Sequence, residues 1–125
     1  VEATYEGACQ KVMKTNPSVK KIASTIRESI SSSHNKITGT LWNGKALLHS
    51  KEYDLTHIVD RVGAGDAFMA GLIYGWLNKY DDQKTIEYAT AAGALKHTIE
   101  GDVNLATVAE VEALVKGENV GKLLR

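Results

Sequence analysis

Two glycines and two carboxylates fall within seven residues of DRVGAGDAF, the stretch at residues 60–68. An apolar, strand-like run precedes them, and MAGLIYGWL, which reads as the start of a long helix, follows. A strand, a glycine turn and a helix together aim backbone N–H groups and the positive end of a helix dipole at one spot, where an anion is stabilised. Gly63 and Gly65 let the backbone take conformations closed to other residues and approach a ligand with no Cβ in the way, so a phosphate is the expected guest. Asp66 then stands in the first helical turn, where its carboxylate could accept the proton of a hydroxyl attacking that phosphate. Asp60, six residues earlier, is a candidate for loop support or cation coordination. Taken alone, Gly-Ala-Gly-Asp reads equally well as a turn and a helix cap. It is neither a dinucleotide fingerprint nor a Walker loop, because the third glycine and the Gly-Lys-Ser/Thr are both missing.

The elements that must hold this turn follow from periodicity. Residues 3–15 read as a helix stopped by Asn16 and Pro17. Residues 19–27 read as a strand, with Ile22, Ser24 and Ile26 on one face and Ala23, Thr25 and Arg27 on the other. ESISSSHN is expected to be a polar loop. Asn43-Gly44 between two strand-like runs predicts a β-hairpin over 36–50, since both residues tolerate positive φ. The run LTHIVD is a further extended segment ending at Asp60, and helices are expected over about 64–79, 83–98 and 107–116. This α-β-β-β-β-α-α-α order suits the end of a larger α/β fold better than a self-sufficient doubly wound sheet.

The composition narrows the partners. The 125 residues are 43% hydrophobic, enough for one domain with a packed core. Fifteen basic and fifteen acidic side chains are dispersed along the chain, so no electrostatic footprint for nucleic acid or an anionic membrane exists and a small-molecule partner is the default. Cys9 is the one cysteine, and no leader or membrane-length apolar run is present, which points to a reducing, cytoplasmic setting. Cys9 itself reads as a small buried apolar residue. His34, His49 and His57 lack metal-site spacing, so no metal is assigned to them, and Trp42 and Trp76 are expected in the core. The chain begins at Val1 within a helical pattern, so a missing N-terminal portion is expected.

IVDRVGAGDAFMAGLIYGW resembles the second signature of the ribokinase-like, or PfkB, carbohydrate kinases: Asp, two residues, Gly-Ala-Gly-Asp, one residue, Phe, then a helix opening with small residues. The resemblance implies the C-terminal part of a three-layer α/β/α fold, with a β-hairpin and three C-terminal helices, spanning 1–125 and lacking the substrate-binding part and lid. It makes Gly63, Ala64 and Gly65 an anion hole for the transferring phosphoryl group and Asp66 the base. Arg61, where the family more often has Thr or Ser, is similar to the 2-keto-3-deoxygluconate kinase branch. The family's ATP-phosphate loop of Thr-x-Gly-x-x-Gly type corresponds to Thr25–Ser29, where the glycine is replaced. There Arg27 and Ser29 are nucleotide-binding candidates, Arg27 through charge-assisted hydrogen bonds to phosphate, against the alternative of a solvated strand-end charge.

The alanine-rich helix EYATAAGALKHT reads first as a surface for close helix packing. By resemblance it also borders the adenine pocket, which brings in Gly93, His97 and Gly101. The implied activity is ATP-dependent phosphorylation of a sugar-acid hydroxyl, with Mg²⁺, a monovalent cation near Asp60, and a homodimer formed through the lid. Other sugar or nucleoside kinases of the family, and a non-catalytic nucleotide-binding domain, stay open as alternatives.

Overall fold

In the computed structural model, residues 2–32, 34–56, 58, 62–98 and 107–117 are described. Eight elements follow one another: α1 (Glu2–Thr15), β1 (Ile22–Ser31), β2 (His34–Trp42), β3 (Leu47–His49), β4 (Tyr53–Leu55), α2 (Ala64–Leu77), α3 (Asp82–Lys96) and α4 (Val108–Val115).

β2 is the centre of an antiparallel sheet. β1 runs along one side, and β3 and β4 share the other, β3 against Thr40–Trp42 and β4 against Asn35–Ile37. Between β3 and β4, Ser50 keeps the ladder going: its N–H donates to the Gly39 carbonyl at 2.9 Å, and its Oγ accepts from the Gly39 N–H at 2.8 Å. The hairpin turn is the expected one, with Gly44 at φ 92° and Asn43 Oδ1 accepting from the N–H groups of Lys45 and Ala46.

The sheet has a helix layer on each side. The Ala23, Thr25 and Arg27 face of β1 and the Ile37, Gly39 and Leu41 face of β2 lie toward α3. On the opposite face Tyr5 of α1 hydrogen-bonds Ser24 at 2.7 Å, and Ser24 meets Thr40 at 3.0 Å. Cys9 is buried, and burial pushes its thiol pKa up, so it behaves as the apolar residue expected. Two apolar clusters fill the other side: Ile37, Tyr53, Leu55, Leu95, Val111 and Leu114 in one, and Leu41, Phe68, Leu72 and Ile86 in the other. Trp42 is buried, and Trp76 packs against the second cluster.

α3 is the central strut, enclosed by the sheet, α2 and α4. Its small residues permit this. A Cβ on Gly71 of α2 would lie 2.7 Å from the Ala89 Cα, and one on Gly75 would lie 2.9 Å from the Thr85 side chain, so α2 and α3 touch backbone to backbone. Close packing explains the alanine-rich stretch, as its composition predicts. α4 docks through a tyrosine cluster in which Tyr74 stacks on Tyr88 at 5.0 Å and Tyr80 meets both edge-on. The Tyr80 hydroxyl donates to Glu112 at 2.8 Å, and Lys51 Nζ donates to the Leu114 carbonyl at 3.1 Å and also to that of Val115. Burial, with the charge of Tyr74 and Glu112, pushes the Tyr88 pKa up to about 12.

One expectation needs correction, and one lies mostly outside the described residues. ESIS is not a loop: β1 extends through Ser31, because Glu28 and Ser29 continue the pairing with Lys36 and Asn35 until a register shift between Ser29 and Ser31. Among the described residues the strand here is Tyr53–Leu55, which shares Leu55 with LTHIVD and begins earlier: Tyr53 and Leu55 are buried in the core while Asp54 points outward. His57, Val59 and Asp60 lie outside the described residues.

Candidate active site

The N-terminus of α2 is built around Gly63. This N-cap residue has φ 85° and ψ −1°, a left-handed conformation that strains any residue bearing a Cβ. Its carbonyl accepts from the Ala67 N–H at 2.9 Å and so closes the first turn. Gly63 has no side chain with which to cap that turn, so among the described residues no N-cap side chain competes for its leading N–H groups. A Cβ placed on Gly65 would meet nothing within 4 Å, so open space lies over the turn.

Gly65 also lines a cavity of about 100 Å³. Ala64, Gly65 and Phe68 of α2 form one wall, and Thr90, Gly93 and His97 of α3 form another. The sheet completes it with Thr25 and Arg27 of β1 and Ile37 of β2. Five residues singled out in the sequence thus meet here: Arg27, Ala64, Gly65, Gly93 and His97. A helix N-terminus and a guanidinium on one cavity both favour a bound anion. The geometry suits a phosphate group.

Asp66 follows Gly65 and stands next to the lining, not in it. It is exposed in the first turn of α2, and among the described residues no hydrogen bond or ion pair ties its carboxylate down. Such a carboxylate is accessible to an incoming hydroxyl.

Arg27 approaches His97, with Nη2 3.1 Å from the imidazole Nε2, and His97 Nδ1 lies 2.7 Å from the Gly93 carbonyl. The imidazole is only 1% exposed. Ser29 is not brought into the cavity; its Oγ donates to Oδ1 of the buried Asn35 at 2.9 Å. Gly101 and Asp60, the other proposed contacts, lie outside the described residues. Thr25, Ile37, Phe68 and Thr90 line the cavity without having been singled out. Thr25 and Phe68 belong to the quoted motifs, but nothing in the sequence separates Thr90 from its alanine-rich surroundings. Among the described residues no three His, Cys, Asp or Glu side chains converge on a metal position. No described helix is long and apolar enough to cross a membrane.

Comparison with known proteins agrees with this geometry. Residues 38–108 match the profile described as pfkB family carbohydrate kinase, more than half of the chain. The crystal structure of 2-dehydro-3-deoxygluconokinase from Thermotoga maritima superposes with a TM-score of 0.85 at 41% identity, covering 90% of this chain and 34% of that one. The ATP-dependent ribose-1-phosphate kinase of Halopiger xanaduensis is 46% identical over 57 residues, 46% of this chain and 19% of the relative. The 2-dehydro-3-deoxygalactonokinase of Haloferax volcanii is 33% identical over 66 residues, 53% of this chain and 21% of the relative. The chain therefore spans about a third of the matched crystal structure and about a fifth of the curated relatives. Matched over more than half of its length, the chain belongs to the pfkB family of carbohydrate kinases.

Proposed function

We propose that residues 1–125 are the C-terminal, phosphate-handling part of a ribokinase-like sugar kinase that phosphorylates a sugar-acid hydroxyl, with 2-keto-3-deoxygluconate as substrate. The observation that carries this reading is the shared cavity, where the open N-terminus of α2 and Arg27 converge. ATP supplies the phosphoryl group, and Mg²⁺ accompanies its phosphates, which this cation prefers to an all-protein cage. The N–H groups of Gly63–Asp66 hold the transferring group and offset its charge, and Arg27 holds a nucleotide phosphate from the sheet side. Asp66 orients the sugar hydroxyl in line and takes its proton. The transition state is loose, so positioning matters more than basicity.

The substrate rests on the 90% of this chain that superposes on a 2-dehydro-3-deoxygluconokinase. Ribose 1-phosphate is the second reading, favoured by the 46% identity over 57 residues to a kinase of that name. The working protein is a cytoplasmic homodimer joined through a lid outside these residues, with a monovalent cation bound near Asp60.

The test is phosphate transfer from ATP by the natural full-length polypeptide, with 2-keto-3-deoxygluconate, ribose 1-phosphate, ribose and fructose compared. Preference for the sugar acid supports the proposal. Preference for ribose 1-phosphate replaces the substrate, and tight ATP binding without turnover of any sugar removes the catalytic reading.

A further inference from the structure

His97 lies on the cavity but is almost wholly enclosed, so it reaches a ligand poorly by itself. Its two nitrogens face partners of opposite kind. The last turn of α3 tightens, with the His97 N–H turning to the Ala94 carbonyl at 3.1 Å, which leaves the Gly93 carbonyl to another donor. His97 Nδ1 takes that place at 2.7 Å. A carbonyl can only accept, so Nδ1 carries the proton. Arg27 can only donate, so Nε2, 3.1 Å from Nη2, must be the unprotonated acceptor. The imidazole is thereby held neutral in one tautomer, anchored on α3 and gripping a guanidinium on β1.

We infer that His97 is a positioning residue that acts through Arg27, holding the guanidinium in the cavity opposite the α2 N-terminus for a nucleotide phosphate. Arg27 sits on an exposed part of β1 and has a long, flexible side chain. His97 Nε2 gives one end of it a fixed acceptor, and a preorganised fork loses less freedom when it meets phosphate. This refines the nucleotide role given to His97, and it rests on the kinase reading only in naming the anion as a nucleotide.

Two substitutions separate positioning from simple helix closure. The amide of His97→Gln places its oxygen near the position of Nε2 and keeps the acceptor for Arg27. The amide of His97→Asn sits near Nδ1 and keeps only the bond to Gly93. The dissociation constant of Mg·ADP, measured by calorimetry on the natural full-length polypeptide, should rise roughly tenfold in His97→Asn and stay near wild type in His97→Gln, as expected for one charge-assisted hydrogen bond. Arg27→Ala should weaken binding at least as much, and adding His97→Asn to it should change nothing further. Imidazole ¹⁵N shifts of the wild type should report the Nδ1–H tautomer. Normal binding by His97→Asn with loss in His97→Gln, or additive effects with Arg27→Ala, would overturn the positioning role. An Arg27→Ala form that binds Mg·ADP normally would remove Arg27 from the site and this inference with it. The expected binding pattern without turnover of any sugar would leave the inference standing and remove the kinase reading.

Discussion

α2 uses glycine in two opposite ways. In its middle, Gly71 and Gly75 are pressed against α3, where a Cβ would come within 2.7 Å of Ala89 and 2.9 Å of Thr85. At its start, Gly65 faces open space and Gly63 takes a left-handed turn. The middle glycines exist because another helix is there. A Cβ on Gly65 would have no protein neighbour within 4 Å, and a cavity lined by Gly65 and Arg27 lies beside it. Identical residues in one helix thus record packing in one place and room for a ligand in the other.

The sharpest way to break this comparison is to add one methyl group at each kind of site. Gly71→Ala gains about 1 kcal/mol of helix propensity but drives a methyl into the Ala89 backbone, so a net loss of roughly 1–3 kcal/mol is expected in denaturant unfolding. Unchanged stability would mean that α2 and α3 are not in backbone contact. Gly65→Ala should do the reverse. Stability should hold or rise by up to about 1 kcal/mol, because nothing is hit. Affinity for Mg·ADP should fall roughly tenfold, as the methyl fills space needed by phosphate at the cost of about one charged hydrogen bond. Loss of stability with intact affinity would reverse the distinction.

A smaller effect is expected away from both sites, where Asp82 in the first turn of α3 receives Lys21 Nζ at 2.5 Å and Asn43 Nδ2 at 3.1 Å. Burial pushes the Asp82 pKa up, but hydrogen bonds from Lys21 and Asn43 and the lysine charge outweigh it, leaving the carboxyl below its usual range. Its stabilising effect is therefore complete above the ordinary aspartate pKa of about 3.9 and fades as pH falls through the depressed value. Asp82→Asn should cost about 1 kcal/mol at neutral pH, the partly exposed pair being screened by solvent, and the gap from wild type should close in acid. A gap that persists at low pH would show that charge is not its origin.

How far the sequence foretells these features depends on whether the signal is local. The α2 turn is legible because Gly-Ala-Gly-Asp before an apolar helical run is a local pattern that marks a strand-to-helix turn, whether or not that turn binds a ligand. The hairpin at Asn43-Gly44 is legible for the same reason, and the small residues of α3 announce close packing directly. The continuation of β1 through Ser31 is not legible, since a polar, serine-rich stretch becomes a strand only through the register that β2 imposes. The link between Arg27 and His97 spans 70 residues. No periodicity encodes a contact at that separation, so the partner that meets Arg27 of β1 on the cavity appears only in three dimensions.

The central claim is that the first turn of α2 handles a transferring phosphoryl group with Asp66 as base. It is tested most directly by ATP-dependent phosphorylation of 2-keto-3-deoxygluconate by the natural full-length polypeptide and by its Asp66→Asn form, with Mg·ADP affinity measured on both. The account expects turnover to fall by roughly 10²–10⁴-fold while nucleotide affinity stays within about twofold, since the lost group acts on the sugar hydroxyl. An Asp66→Asn enzyme with near-normal turnover would contradict it.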